Sequence, residues 1–70
     1  MLVDFLKAVK EGSQVYFVLS GTIIGGEIMK VDYEKEFIQM KTVTFPHGLA
    51  VPFFIVPFGS IQAWGIRPRG

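Results

Sequence analysis

Three carboxylates, Asp32, Glu34 and Glu36, alternate along a short polar stretch of the chain. If this stretch is extended, side chains two residues apart share a face, so the three carboxylates would converge. Carboxylate oxygens are the ligands that hard divalent cations prefer, which makes a metal site one interpretation. The alternative is a solvated turn with Lys35 as the counter-charge. Because short acidic motifs have low specificity, we favour the turn and predict no metal and no cofactor.

The single histidine, His47, is the other candidate for acid–base chemistry. It lies between Pro46 and Gly48, two residue types typical of turns. Catalysis by an imidazole needs an acid, base or nucleophile partner, and the sequence identifies none; the chain also contains no cysteine. The glycines between 21 and 26 lack the Lys and Ser/Thr of a phosphate-binding loop. We therefore predict that the protein is not an enzyme.

Aromatic and basic side chains suggest contacts with single-stranded nucleic acid, because rings stack on bases while Lys and Arg neutralise phosphates. The candidate contacts are Tyr33, Lys35, Lys41, Arg67 and Arg69. The favoured alternative is that the aromatic residues fill the core and subunit interfaces, where such residues are enriched. The formal net charge of +1 also falls short of the basic excess typical of dedicated nucleic-acid binders.

The apolar content is high for so short a chain. Of its 70 residues, 50 % are apolar and 19 % charged, whereas a domain this small buries only roughly 60 % of its unfolded surface. The surplus must face a partner, a membrane or another copy. The longest apolar run, 49–58, is well short of the about 20 residues that span a bilayer. Residues 1–9 lack a signal-peptide layout. We therefore expect a cytoplasmic protein with no membrane contact.

The elements predicted from periodicity form one domain over residues 1–70. Leu2, Phe5, Leu6 and Val9 have the spacing of one apolar helical stripe, which predicts a helix over about 2–11 that ends at Gly12. The later segments have the composition and turn punctuation of strands. The predicted strands are about 14–19, 22–31, 36–42, 51–57 and 61–66. This order predicts a mostly β fold, a strongly bent five-stranded SH3-like barrel.

Inside the second predicted strand, Gly25 and Gly26 indicate a bulge or sharp bend, as a small barrel requires. Pro52 and Pro57 cannot donate ladder hydrogen bonds, which favours an edge position for the fourth strand.

Several residues resemble the first motif of the Sm and LSm proteins. The matching landmarks are Leu19, Gly21, Gly26, Ile28, Val31 and Asp32, at the spacing of that motif. Residues 56–64 have the hydrophobic spacing of the second Sm motif, and bacterial Hfq shares the plan of a helix followed by five strands. The uridine-binding residues of the family are replaced, since its base-stacking and base-reading positions are Glu34 and Glu36. Carboxylates there repel phosphate.

The resemblance implies an Sm-like homo-oligomer, a ring of about five to seven copies in which the fourth strand of one subunit pairs with the fifth of the next. Both strands are apolar and would otherwise leave exposed edges. The predicted interface residues are Phe53, Phe54, Ile55, Val56, Ile61 and Trp64.

These observations lead to two hypotheses for function. The first is a ring-forming Sm-like scaffold that binds single-stranded RNA through a non-standard surface. The alternative is a structural or protein-interaction ring that has no nucleic-acid role. The salt dependence of binding separates them, because phosphate contacts weaken steeply as salt rises.

Overall fold

The chain forms one short helix followed by five antiparallel strands in a single sheet, in a computed structural model that describes residues 1–9 and 12–67. The elements are α1 (Leu2–Ala8), β1 (Gln14–Leu19), β2 (Thr22–Asp32), β3 (Phe37–Thr44), β4 (Ala50–Pro57) and β5 (Ala63–Ile66), with a 3-10 turn at Phe58–Ser60. The mostly β class and the order of one helix and five strands are confirmed. No helix within the described residues has the length and apolar character needed to cross a membrane.

The sheet has two open ends. Its strand order is β4-β3-β2-β1-β5, so β4 and β5 are the outermost strands. In the described part of the chain, β4 pairs only with β3, and β5 pairs only with β1. The predicted barrel is therefore not closed by hydrogen bonds within the described chain, and both outer strands keep an unpaired backbone edge there.

The helix is shorter than predicted. It ends at Ala8, because the backbone of Val9 is already extended, and residues 10 and 11 of the predicted helix lie outside the described residues. Gly12 has the expected positive φ of 89°, but its N–H donates to the Ile28 carbonyl at 2.9 Å instead of capping the helix. Pairing with β2 has therefore begun by Gly12, and the prediction of Gly12 as a helix C-cap is wrong.

The strand boundaries differ from the prediction mainly in the last three strands of the chain. β1 has the predicted bounds, whereas β3 runs on to Thr44 and β4 begins at Ala50. β5 begins at Ala63 and not at residue 61, because the chain leaves the 3-10 turn at Ile61, whose N–H donates to the Phe58 carbonyl at 3.1 Å. The composition of residues 61–66 is strand-like, but the first two residues connect the turn to the strand, and the Gln62 N–H already donates to the Val18 carbonyl at 2.8 Å.

The core lies between the helix and one face of the sheet. Buried residues alternate along the strands, as in Val15 and Phe17 of β1, and Leu6 enters the core from the helix. Leu2, Phe5 and Val9 pack partly buried against it, which confirms the predicted apolar stripe. The other buried apolar residues are Ile24, Ile28, Ile38, Met40, Val43 and Val56.

β2 is the longest strand and is irregular where a bend was predicted. Its register with β3 shifts between Gly25 and Glu27 and again between Ile28 and Lys30. Gly26 is buried at the first shift, and a Cβ added there would lie 3.0 Å from the Val43 side chain and 3.2 Å from the Lys41 carbonyl. The strand bends where only glycine lets β3 approach this closely.

We expect Gly26→Ala to lower the free energy of unfolding by about 1–3 kcal/mol, the usual cost of overpacking a filled core. Urea denaturation measures this difference. Gly59→Ala is the matched control, because nothing lies within 4 Å of its added Cβ. Equal stability of the two variants would contradict the account of the bend.

Candidate functional site

The two open edges of the sheet carry large apolar side chains that are exposed to solvent. On β4, Phe53 is 49 % exposed and Ile55 is 47 % exposed. On β5, Trp64 is 36 % exposed and Ile66 is 62 % exposed. Large apolar side chains on an unpaired strand edge are typical of surfaces that pair with another chain.

The free backbone groups of the β4 edge belong to Phe53 and Ile55. Successive residues of an antiparallel strand direct their N–H and C=O groups alternately to the two sides. The Phe58 N–H donates to the Glu36 carbonyl at 2.9 Å, which continues the register that pairs Phe37 with Pro57. The groups of residues 54 and 56 therefore face β3, and those of Phe53 and Ile55 face outward.

The same alternation places the free groups of the β5 edge on Trp64 and Ile66. The Arg67 N–H donates to the Gln14 carbonyl at 2.9 Å, in register with the pairs that join Val15 to Ile66 and Tyr16 to Gly65. The groups of residues 65 and 67 therefore face β1. On both edges, the residues with free backbone groups are those with exposed apolar side chains.

The six predicted interface residues divide into three environments. Phe53, Ile55 and Trp64 are exposed on the edges, while Phe54 and Ile61 are half-buried against the core. Val56 is only 1 % exposed, so its side chain belongs to the core of its own subunit. It alternates with Ile55 on β4, so the two side chains point to opposite faces of the strand.

Sequence reasoning missed Ile66 as an edge residue. The alternation within β5 was the available signal, because Ile66 lies two residues after Trp64 and so on the same face of the strand. Ile66 is the last residue of β5, and the predicted interface ended at Trp64.

Among the predicted nucleic-acid contacts, Tyr33 is the one that lies in a defined cluster. Its ring is half exposed and meets Phe58 edge-on, with the ring centroids 6.3 Å apart. The Lys7 ammonium from the helix lies 5.7 Å from the centroid of the Tyr33 ring. We call Tyr33, Lys7 and Phe58 the Tyr33 cluster. Lys35 lies in the same exposed turn as Tyr33.

Two of the remaining predicted contacts, Lys41 and Arg67, do not join this cluster. Lys41 lies on β3, where its ammonium is 3.3 Å from a carboxylate oxygen of Glu27. Arg67 is exposed just beyond β5, at the far side of the sheet from β3. Arg69 lies outside the described residues. The predicted basic surface is therefore divided among separate parts of the described chain.

The acidic stretch forms a turn between β2 and β3. The Lys35 N–H donates to Oδ1 of Asp32 at 2.8 Å, which closes the turn, and Glu36 has a positive φ of 61°. In residues 1–9 and 12–67, no three His, Asp or Glu side chains lie close enough together to hold a metal ion. The geometry matches the turn interpretation of this segment.

His47 lies in the exposed loop between β3 and β4. Its ring is edge-on to Phe45, with the ring centroids 6.1 Å apart. The loop is closed by the N–H of Phe45, which donates to the Leu49 carbonyl at 2.8 Å, and by the N–H of Gly48, which donates to the Phe45 carbonyl at 3.0 Å. These contacts show that His47 lies in a turn.

An apolar groove of about 330 Å³ crosses the outer face of β1, β2 and β5. We call it the Gly65 groove, and its lining residues are Tyr16, Val18, Ile23, Ala63, Trp64 and Gly65. A second groove of about 290 Å³ adjoins it, shares Tyr16 and Ile23, and continues toward the loop at Phe45. Sequence reasoning missed this face, although Tyr16 and Val18 alternate with the buried Val15 and Phe17.

No protein-family model matches this chain, and no curated protein matches it significantly. The features of the chain that bear on its function are the two edges, the Tyr33 cluster and the Gly65 groove.

Proposed function

We propose that this protein is an Sm-like subunit that assembles head to tail into a closed homo-oligomeric ring and acts as a binding scaffold. The observation that carries the proposal is the match between the two edges. Each edge offers free backbone groups on two residues, and those residues hold exposed apolar side chains. A neighbour's β4 edge placed along the β5 edge satisfies both at once.

One antiparallel register uses both edges fully. It sets Phe53 opposite Ile66 and Ile55 opposite Trp64, and both pairs exchange two backbone hydrogen bonds. Moving the neighbour by two residues in one direction sets Pro57, which has no N–H, opposite Trp64. Moving it by two residues in the other direction sets Val51 opposite Ile66. Val51 lies beyond Pro52, where the exposed face of β4 changes, and its side chain is half-buried.

The proposed contact is heterologous, so it gives a ring when the rotation between neighbours closes and a filament when it does not. Two different surfaces, the β4 edge and the β5 edge, meet in each contact, so every added subunit leaves one of each unpaired. A ring satisfies all edges, whereas an open chain leaves its two ends exposed. The Sm-like resemblance supports a ring of about five to seven copies.

Native mass spectrometry of the purified protein tests this assembly. We expect a single closed oligomer, because closure removes the exposed edges. A monomer over the micromolar range would overturn the proposal, and a continuous series of sizes would overturn closure while retaining edge pairing.

Single-stranded RNA is the ligand that the Tyr33 cluster favours. An exposed ring beside an ammonium group can stack a base while the cation neutralises the adjacent phosphate. Lys35 in the same turn adds a second cation. A ring of subunits would repeat this weak site at regular spacing, and repetition raises the total affinity without new contacts.

We expect Tyr33→Ala to weaken the binding of a short single-stranded RNA by roughly 5- to 100-fold, the usual contribution of one stacked base. Fluorescence anisotropy at two salt concentrations measures both the affinity and its salt dependence. Tyr33→Phe keeps the ring and is expected to bind like the parent protein. If the parent protein binds no RNA, the structural or protein-interaction ring becomes the preferred function.

A further inference from the structure

Aromatic rings and glycines face one another on the outer surface of the sheet. Tyr16 of β1 lies between Gly25 of β2 and Gly65 of β5 in the cross-strand register. Its ring covers Gly25, since a Cβ added at Gly25 would lie 3.3 Å from two ring carbons of Tyr16. Nothing lies within 4 Å of a Cβ added at Gly65. One glycine is therefore covered by an aromatic ring from its own subunit, and the other is open.

The edges alone are small for a stable contact between subunits. β5 has four residues, whereas a stable interface typically buries about 800 Å² and about 20–30 residues on each partner. The contact must extend beyond the paired backbones. The Gly65 groove is the apolar surface that borders β5 directly, and its volume of about 330 Å³ is large enough for an aromatic ring.

We infer that the Gly65 groove is completed by a second copy of this chain, whose Phe54 ring lies over Gly65. The inference rests on the proposed edge pairing and specifies which side chain enters the groove. In the register that pairs Phe53 with Ile66 and Ile55 with Trp64, residue 54 of one subunit lies opposite residue 65 of the next. This pair exchanges no hydrogen bonds, and such pairs bring side chains closest together.

The neighbour's Phe54 is suited to this position. Its ring is half-buried, edge-on to Phe45 with the centroids 5.5 Å apart, so part of it is open at the rim of its subunit. A large ring opposite a glycine is a favourable cross-strand combination, because the ring covers backbone that glycine leaves bare. Across the contact, Phe54 would cover Gly65 as Tyr16 covers Gly25 within the subunit.

Cysteine cross-linking tests the pair directly, because the chain has no cysteine of its own. Phe54→Cys and Gly65→Cys are prepared as separate proteins, mixed and mildly oxidised, so that a disulfide between the two sites can form only between subunits. We expect a covalent heterodimer on a non-reducing gel. The control mixes Phe54→Cys with Ile66→Cys, whose side chain points to the opposite face, and is expected to give little product.

Gly65→Leu provides a test that keeps Phe54 intact. The added side chain has no neighbour within 4 Å of its Cβ, so the subunit is expected to keep its circular dichroism spectrum and its thermal midpoint at low concentration. It would occupy the groove, and we expect association to weaken at least about tenfold. The inference would be overturned if Gly65→Leu associated as strongly as the parent protein. It would also be overturned if the protein assembled but the cysteine pair formed no disulfide. A wild-type monomer would instead overturn the proposed ring.

Discussion

Ile55→Asp is expected to prevent the proposed ring from forming and to leave single subunits. The Ile55 side chain is exposed in the subunit, and its backbone groups lie on the β4 edge, so the change leaves the core untouched. In the proposed contact the carboxylate would lie beside Trp64 of the neighbour with no counter-charge. Leaving a charge unpaired in a buried contact costs at least about 3 kcal/mol, which weakens association roughly a hundredfold or more.

Sedimentation velocity of the parent protein and the variant measures this change. Met29→Asp is the matched control, because Met29 is an exposed apolar residue of β2, away from both edges. The control is expected to assemble like the parent protein. Ile55 is a better site than Phe54 for this experiment, since Phe54 packs partly against the core of its own subunit. Full assembly of Ile55→Asp would rule out the β4 edge as a contact surface.

Phe17→Ala is expected to remove a large part of the free energy of unfolding. Phe17 is fully buried at the centre of β1, between Ile24 of β2 and Trp64 of β5 in the cross-strand register. Removal of a buried phenylalanine ring typically costs about 3–5 kcal/mol. A domain of this length has a total stability of roughly 4–10 kcal/mol, so the loss is a large part of the whole.

Urea denaturation followed by Trp64 fluorescence measures the loss, because this tryptophan lies on the strand next to Phe17. The comparison is made in the Ile55→Asp background, where we expect no assembly that could be linked to unfolding. Met29→Ala is the control and is expected to change stability by less than about 0.5 kcal/mol, as exposed sites usually do. A Phe17→Ala variant as stable as this control would show that the core is described wrongly.

The elements that depend on neighbouring residues were predictable from the sequence. The alternation in β1, the apolar stripe of the helix and the two adjacent glycines of β2 each report a local periodicity or a local conformational need. The turn between β2 and β3 was predictable for the same reason, because Asp32 closes it through a contact only three residues away. Residues 61 and 62 have a strand-like composition, but they connect the 3-10 turn at Phe58–Ser60 to β5.

The faces and edges of the sheet depend on contacts between distant residues, and only the tertiary structure decided them. Alternation shows that Ile55 and Val56 point to opposite sides of β4, but which side is buried depends on the position of β3 and the core. The pairing of Lys41 with Glu27 removes one cation from the predicted binding surface, and it forms only because β2 and β3 are neighbours. The Gly65 groove likewise exists because β5 pairs with β1. This contact joins the first and the last strand, and no local pattern specifies it.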